Sequence, residues 1–584
     1  MLKRMFPYMH KYRKYLWLSC FCVVAETVFE LVIPLLMADI IDVGVANQDK
    51  TYILLQGSKM IACALLALIL GVLYARFAAT AGQGFGAELR KDEFRKVQEF
   101  SFANTDHFST SSLITRLTSD VTILQTAISN GIRPFVRSPV MLLTALILTF
   151  TINKDLAIVF LIAIPILGLG LFLIIHKVGP LYRLMQASID KVNTIVQENL
   201  IAIRVVKSYV RGTYEKAKFQ KVNEQLRYAS EKAFRTSVWN LPLFQVVMYT
   251  TILCILWFGG NMIFVGTMKV GELTGFLSYV LQILNSLMMI SNVFLMLTRS
   301  LASCERIIEV LDEPLDIHDE AGADAYIEHG TIDFSHVYFK YKKDAEEYVL
   351  RDINLHIPAG STIGILGGTG SAKTTLVQLI PRLYDVEDGI VSIDGRNVKA
   401  YPLQHLRDAI GMVLQKNTLF SGTIRENLLW GNAQADDEEL DWACEVACVN
   451  EFLPNFPKGY ESDLGQGGVN VSGGQKQRLC IARALLKHPK VLIFDDSTSA
   501  VDTATEAHIR EGLAALKDTT KIIIAQRVTS VMHADQIIIL EDGGIHAIGT
   551  HEELLAKDAI YQEIYTSQQE GAGFHLSLIH ISEP

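Results

Sequence analysis

Six apolar runs crowd into the first half of this chain, at 15–38, 57–82, 139–152, 155–175, 241–266 and 273–298, and each approaches or exceeds one bilayer crossing. With 584 residues the chain is too long for one domain, and a hydrophobic share of 50% exceeds what a soluble core needs. The apolar excess stops near residue 300. The pattern therefore predicts an all-α domain of six membrane helices, followed by a domain of different composition.

Charge placement orients the helices. Lys3, Arg4, Lys11, Arg13 and Lys14 precede the first run, and two long connections carry Arg90, Lys91, Arg95, Lys96, Arg116, Lys177, Arg183, Arg204, Lys207, Arg211, Lys216 and Lys218. The alternate loops hold little more than Lys50, Lys154 and Lys269. By the positive-inside rule, both termini and both long connections are cytoplasmic. The first apolar run is longer than a signal-peptide core, and no A-x-A site ends it. The net charge of −9 argues against a nucleic-acid partner. The eight cysteines lack metal-ligand spacing; Cys444 and Cys448, four apart on an expected helix, read as small core residues. Glu26 and Glu30, inside the first run, are costly in lipid and should face a cavity or another helix, as a packing or hydrogen-bonding contact in preference to a cation site.

Apolar periodicity continues past the bilayer through 83–133 and 176–238, each interrupted by a polar turn region, FSTSSLITRLTSD (108–120) and KSYVRGTYEKAKF (207–219). These turns are expected farthest from the membrane, docked on a cytoplasmic motor. Residues 1–308 are assigned to the membrane domain, 309–330, with their acids and proline, to a linker, and 331–570 to the second domain.

That second domain reads as α/β. TIDFSHVYFKY, VLRDINLHI and STIGIL are strand-like, and the last leads into GGTGSAKTT (367–375) and a helix. A glycine-rich loop between strand and helix aims backbone N–H groups at phosphates. Gly367, Gly368, Thr369, Gly370, Ser371 and Ala372 form the loop, Lys373 neutralises phosphate charge, Thr374 offers a hydroxyl to Mg²⁺, and Thr375 follows on the helix. Ala372 stands where glycine is expected, a methyl that is tolerable at negative φ and costly otherwise. VLIFDD (491–496) reads as a buried parallel strand ending in two carboxylates, with Asp495 on the metal side. Between them, Ser472, Gly473 and Gly474 precede a helix beginning near Gln475, a second candidate phosphate-facing helix start.

Over about 1–570 this set resembles an ATP-binding cassette (ABC) exporter half, a six-helix membrane domain fused to an α/β P-loop ATPase domain. The resemblance implies ATP and Mg²⁺ as cofactors. It implies that Ser472, Gly473, Gly474 and Gln475 are a signature contacting ATP held by another subunit. It also implies that Tyr341 stacks on adenine, that Gln415 reaches Mg²⁺ and the attacking water, and that Asp502 links the two sites.

Two positions depart from the family pattern. Asp496 stands for a catalytic glutamate, its carboxylate drawn back by roughly an ångström, a misplacement that can cost about a hundredfold in rate. Gln526 stands for a histidine and cannot carry its charge. Val471 replaces a leucine, and Gln466 a glutamate. The pattern resembles the degenerate-site subunit of bacterial heterodimeric exporters, which implies weak hydrolysis at its own site and a partner half with an intact glutamate and histidine. It further implies a multi-pass protein of the bacterial cytoplasmic membrane, exporting a small amphipathic drug, lipid or peptide. An ATP-gated regulatory or channel module and an importer on the same fold are the alternatives. The last residues, GFHLSLIHISEP, fit no family element; 571–584 is expected to be a non-native, disordered tail after a helix ending near Gln569.

Overall fold

A computed structural model describes residues 2–319, 325–343, 345–497 and 501–579. In chain order the first helices are α1 (Leu2–Met9), α2 (Arg13–Asp39), α3 (Lys50–Gln98), α4 (Phe102–His107), α5 (Thr110–Thr115), α6 (Val121–Ile152), α7 (Lys154–Ile201), α8 (Ile203–Ser208), α9 (Gly212–Ser237), α10 (Asn240–Val265) and α11 (Val270–Asp312). Met1–Gln98 and Ser109–Glu313 form one unit; Glu99–Phe108, which contains α4, folds with Pro314–Pro584 as the second.

Among the described residues, six helical spans are long and apolar enough to cross a membrane: Arg4–Val45, Lys50–Gln98, Thr110–Ile152, Lys154–Ile201, Gly212–Val265 and Val270–Ile290. The chain is a multi-pass membrane protein. At 1.5 Å per residue the 49 residues of α3 reach about 74 Å, far beyond the ~30 Å hydrocarbon layer, so the helix itself outlasts the bilayer.

The helix ends follow from local chemistry. Asn153 caps α7 by accepting from Asp155 N and Leu156 N, both at 3.1 Å. The Asp42 carboxylate accepts from Gly271 N at 2.5 Å and Glu272 N at 3.0 Å, satisfying donors at the start of α11 that hydrocarbon would leave bare. Gly271 permits that approach, since a Cβ there would lie 2.3 Å from Ala38 O. Fully buried Tyr279 donates to Leu31 O at 2.7 Å, tying α11 to α2 inside an apolar cluster that includes Phe160, Leu167, Ile255 and Phe276.

Three boundaries differ from the sequence expectation. α11 continues past 308 to Asp312, because Ile307 and Val310 keep its buried stripe until Pro314 disfavours helix in the residue before it. The first connection breaks on either side of α4, where Ser101 and Ser109 accept from Asn104 N and Ser112 N, and most of 108–120 is α5 and a π-helical turn at Arg116–Asp120. The second breaks at Ala202 and over Tyr209–Arg211, so most of 207–219 belongs to α9.

The second unit contains β1 (Ile332–Phe339), β2 (Leu350–Ile357), β3 (Thr362–Gly367), α12 (Lys373–Gln378), β4 (Asp388–Ile393), β5 (Arg396–Asn397), β6 (Ile410–Val413), β7 (Gly422–Thr423), β8 (Asp463–Leu464), β9 (Val491–Asp495), β10 (Thr520–Ile524), β11 (Gln536–Glu541) and β12 (Gly544–Gly549). A four-stranded antiparallel sheet runs β2-β1-β4-β5. A six-stranded sheet runs β12-β11-β3-β10-β9-β6, parallel except at β12. β9 is buried at every position, as a strand covered on both faces must be. The last helix, Ala559–Ile579, overruns the end expected at Gln569, since no proline interrupts it and each glycine costs only about 1 kcal/mol; 580–584 lie outside the described residues.

Candidate functional site

Strand order creates the site. β3 and β9 flank β10, all three parallel, so their carboxyl ends open on one edge of the sheet, the place where α/β folds bind ligands. The glycine-rich loop leaves β3 there and enters α12 at Lys373. A cavity of about 400 Å³ opens at this edge, lined by Tyr341, the loop from Thr369 through Thr375, Gln415, Asp495, Asp496 and Gln526.

Lys373 Nζ donates to the carbonyls of Gly367 at 2.9 Å and Gly368 at 2.7 Å, which curls the loop around its own cation. Burial pulls the Lys373 ammonium below the ordinary lysine value, and the Asp496 and Asp495 charges oppose that pull. Ala372 sits at φ 67°, so the costly alternative holds: a side chain occupies the left-handed conformation that glycine would take freely. Thr374 Oγ1 donates to Asp495 Oδ1 at 2.8 Å. Burial lifts Asp495 above the usual carboxylate range; the Thr374 bond opposes it, Asp496 adds to it and Lys373 opposes it. The Thr374 hydroxyl, the Asp495 carboxylate and the Gln415 amide line one cavity, an oxygen donor set that fits Mg²⁺.

The two departures meet. β9 and β10 pair with Asp495 opposite Ile524, so Asp496 and Gln526 project just past adjacent strand ends. Asp496 N donates to Ile524 O at 3.1 Å, and Gln526 Nε2 donates to Asp496 Oδ2 at 2.7 Å.

Tyr341 lies at the cavity with its hydroxyl 2.8 Å from Thr375 Oγ1. Its ring meets Tyr384 edge-on at 5.2 Å; Tyr384 donates to Asp106 Oδ2 at 2.8 Å and takes the edge of Phe102 at 5.9 Å. The sequence reading missed Tyr384, Asp106 and Phe102, because no motif marks them. The one available signal was the capped FANTDH turn after Ser101.

Ser472, Gly473, Gly474 and Gln475 are not brought to this cavity. They start a helix, Gly473–Leu485, in which Ser472 Oγ accepts from Gln475 N at 3.3 Å and Gln475 Oε1 accepts from Ser472 N at 2.9 Å, with Ser472 and Gly473 exposed. Asp502 also stands apart, capping Thr503–Ala514 by accepting from Thr505 N at 3.0 Å. Among the described residues no His, Cys, Asp and Glu group is clustered for a transition metal, and all eight cysteines are free.

A six-span membrane unit joined to a P-loop α/β unit defines an ATP-driven membrane transporter by fold and site. The ABC transporter transmembrane region profile matches residues 16–287 and the ABC transporter profile residues 350–499. The chain is 42% identical over 543 residues to YfiB of Bacillus subtilis, named an uncharacterized ABC transporter ATP-binding protein, covering 93% of this chain and 94% of that protein. It is 32% identical to YgaD of the same organism, provisionally named a multidrug export ATP-binding/permease protein, covering 97% and 99%. The structure of a bacterial Atm1-family ABC exporter with ATP bound shares the fold at TM-score 0.80 and 23% identity, covering 95% and 98%. The chain belongs to the ABC transporter family, as a half-transporter with its membrane domain fused to an ABC ATPase domain.

Proposed function

We propose that this chain is the degenerate-site subunit of a heterodimeric exporter of the bacterial cytoplasmic membrane, with both termini and the ATPase domain cytoplasmic. The observation that carries the reading is the 2.7 Å bond from Gln526 to Asp496: the carboxylate meant to orient water is held by a neutral amide that cannot take a histidine's charge. ATP is held by Tyr341 at the base, by the 367–375 loop and Lys373 at the phosphates, and Mg²⁺ by Thr374, Asp495 and Gln415. The metal, when bound, neutralises charge on the phosphates. Asp502 and the Ser472–Gln475 signature serve the partner half, whose own glutamate and histidine do the chemistry. The provisional naming of YgaD for multidrug export supports an amphipathic cargo. Purification of the chain alone and together with a second ABC half that carries the glutamate and histidine tests the reading. ATP turnover should be near zero alone and appear in the pair; strong ATPase from the chain alone overturns it.

A further inference from the structure

Four charged side chains meet inside the membrane unit. Arg133 Nη2 donates to Glu26 Oε1 at 2.5 Å, Arg137 Nη2 donates to Glu30 Oε2 at 2.5 Å, and Arg137 Nη1 lies 3.8 Å from Glu26 Oε1. Glu26 and Glu30 therefore contact a neighbouring helix, α6, one of the two placements their sequence context allowed. Arg133 stands 19 residues before Ile152, about 28 Å from that end of α6 at 1.5 Å per residue, so the cluster sits in the half of the bilayer away from the α6–α7 loop.

The geometry points to this cluster as the site that recognises an anionic group on an amphipathic cargo, with Arg133 and Arg137 as the recognising residues. The inference rests on the exporter reading above and deepens it by naming the substrate class.

Exposure assigns the sign. The Glu26 side chain is only 4% exposed and that of Arg133 42%, while Arg137 and Glu30 are 23% and 27% exposed, so the most accessible side chain of the cluster is the Arg133 guanidinium. Such a group does not face hydrocarbon; this stretch of α6 faces water, ligand or the partner half. A guanidinium has five N–H donors, yet Arg133 and Arg137 each make one hydrogen bond among the described residues, and Arg133 Nε is buried without a partner. Arg133 is also held against the Tyr74 ring, 5.8 Å from its centroid, which fixes its plane without using its donors.

The grip on Arg133 is unlike a structural one. In the same unit, Arg306 reaches both oxygens of Asp120, by Nε to Oδ2 at 2.7 Å and by Nη2 to Oδ1, and Ser303 supports the pair. Glu26 holds Arg133 by one oxygen, and its other oxygen is buried without a partner. With Nε buried and Nη2 on Glu26, the single-point grip leaves the Nη1 edge of Arg133 for a second acceptor such as a phosphate or carboxylate. An apolar cavity of about 280 Å³, lined by Ile132, Phe135, Phe85, Leu124 and Met296, lies on another face of α6 and includes none of the four charged residues, so it is not part of the proposed site.

The test is equilibrium binding of radiolabelled dodecyl phosphate to the full chain in phosphatidylcholine nanodiscs, with protein-free nanodiscs as blank. We expect saturable binding, competed by phosphatidylglycerol if a lipid headgroup is the source, and uncompeted by inorganic phosphate or dodecyltrimethylammonium. Arg133→Gln and Arg137→Gln should each weaken it about tenfold or more, the loss of a charge-assisted bond, and Arg133→Lys less. Because Arg133→Gln strands a buried carboxylate, the neutral pair Glu26→Gln with Arg133→Gln gives the same test in a chain that keeps its charge balance. Full competition by dodecyltrimethylammonium or inorganic phosphate, or unchanged affinity in the arginine variants, overturns the assignment. Binding is read without ATP turnover, so failure of the heterodimer reading leaves this result interpretable.

Discussion

Gln526 and Asp496 satisfy each other across the ends of two parallel strands, amide to carboxylate at 2.7 Å. The two departures form an amide–carboxylate pair of ordinary hydrogen-bond length, so each fixes the position of the other. The coupling makes a specific prediction for the chain expressed alone. Asp496→Glu or Gln526→His singly should restore little ATPase activity, whereas the double variant should exceed the sum of the two. Additive single effects in steady-state hydrolysis would mean that the two side chains act independently.

The asymmetry of the pair gives a second test. Asp496→Asn should change turnover of the co-purified pair little, because the partner's site does the chemistry. Ser472→Arg should remove most of it, because a bulky cation replaces the cap at the exposed start of Gly473–Leu485. Equal, severe losses would identify Asp496 as a working base.

Most of the fold was legible in the sequence, because its two halves carry different periods. The six apolar runs fixed the membrane helices, and strand–glycine loop–helix fixed the P-loop, since each signal is local in the chain. What escaped was non-local. Tyr384 is an ordinary aromatic in PRLYD until the fold sets it between Tyr341 and Asp106, 278 residues away in sequence. Likewise the arginines opposite Glu26 and Glu30 lie 107 residues on, at the edge of a run whose apolar part begins only near 139. The break before α4 was missed because a serine N-cap, Ser101, starts a new helix there, while the break after it, at Phe108 and Ser109, falls at the edge of the expected 108–120 stretch.

Ala372 offers a stability test. A left-handed residue with a Cβ costs roughly 1–2 kcal/mol, and glycine returns about 0.5–1 kcal/mol of that through its greater freedom when unfolded. Ala372→Gly should therefore leave the unfolding midpoint level or raise it modestly, by up to about 1.5 kcal/mol in stability, while Lys373→Ala lowers nucleotide occupancy. A fall in the midpoint would show that the loop takes a different conformation in solution.

Asp495 sets a pH dependence. Its pKa is raised by burial, so protonation begins above the usual carboxylate range, and a protonated Asp495 cannot hold Mg²⁺. Mg²⁺-dependent binding of a fluorescent ATP analogue should weaken as pH falls, with an onset above that of an ordinary carboxylate. Thr374→Val removes the hydroxyl that opposes the shift and should move the onset to still higher pH. A profile that moves the other way would place the titration elsewhere.

Tyr384 links the base end of the cavity to the 99–108 segment. Its ring contacts Tyr341, and its hydroxyl donates to Asp106, so a nucleotide that reorients Tyr341 changes the packing under α4. Tyr384→Phe keeps the ring and deletes only the bond, at a cost of about 1–3 kcal/mol because the acceptor is charged. In hydrogen exchange, ATP should increase protection of amides in 99–108 in the wild-type chain, and this gain should shrink in Tyr384→Phe while ATP affinity stays within a few-fold. Asp106→Asn, which keeps an acceptor at the same place, should retain more of the gain. If ATP protects 99–108 equally in all three proteins, the Tyr341–Tyr384–Asp106 contacts hold the segment in place without reporting on the nucleotide.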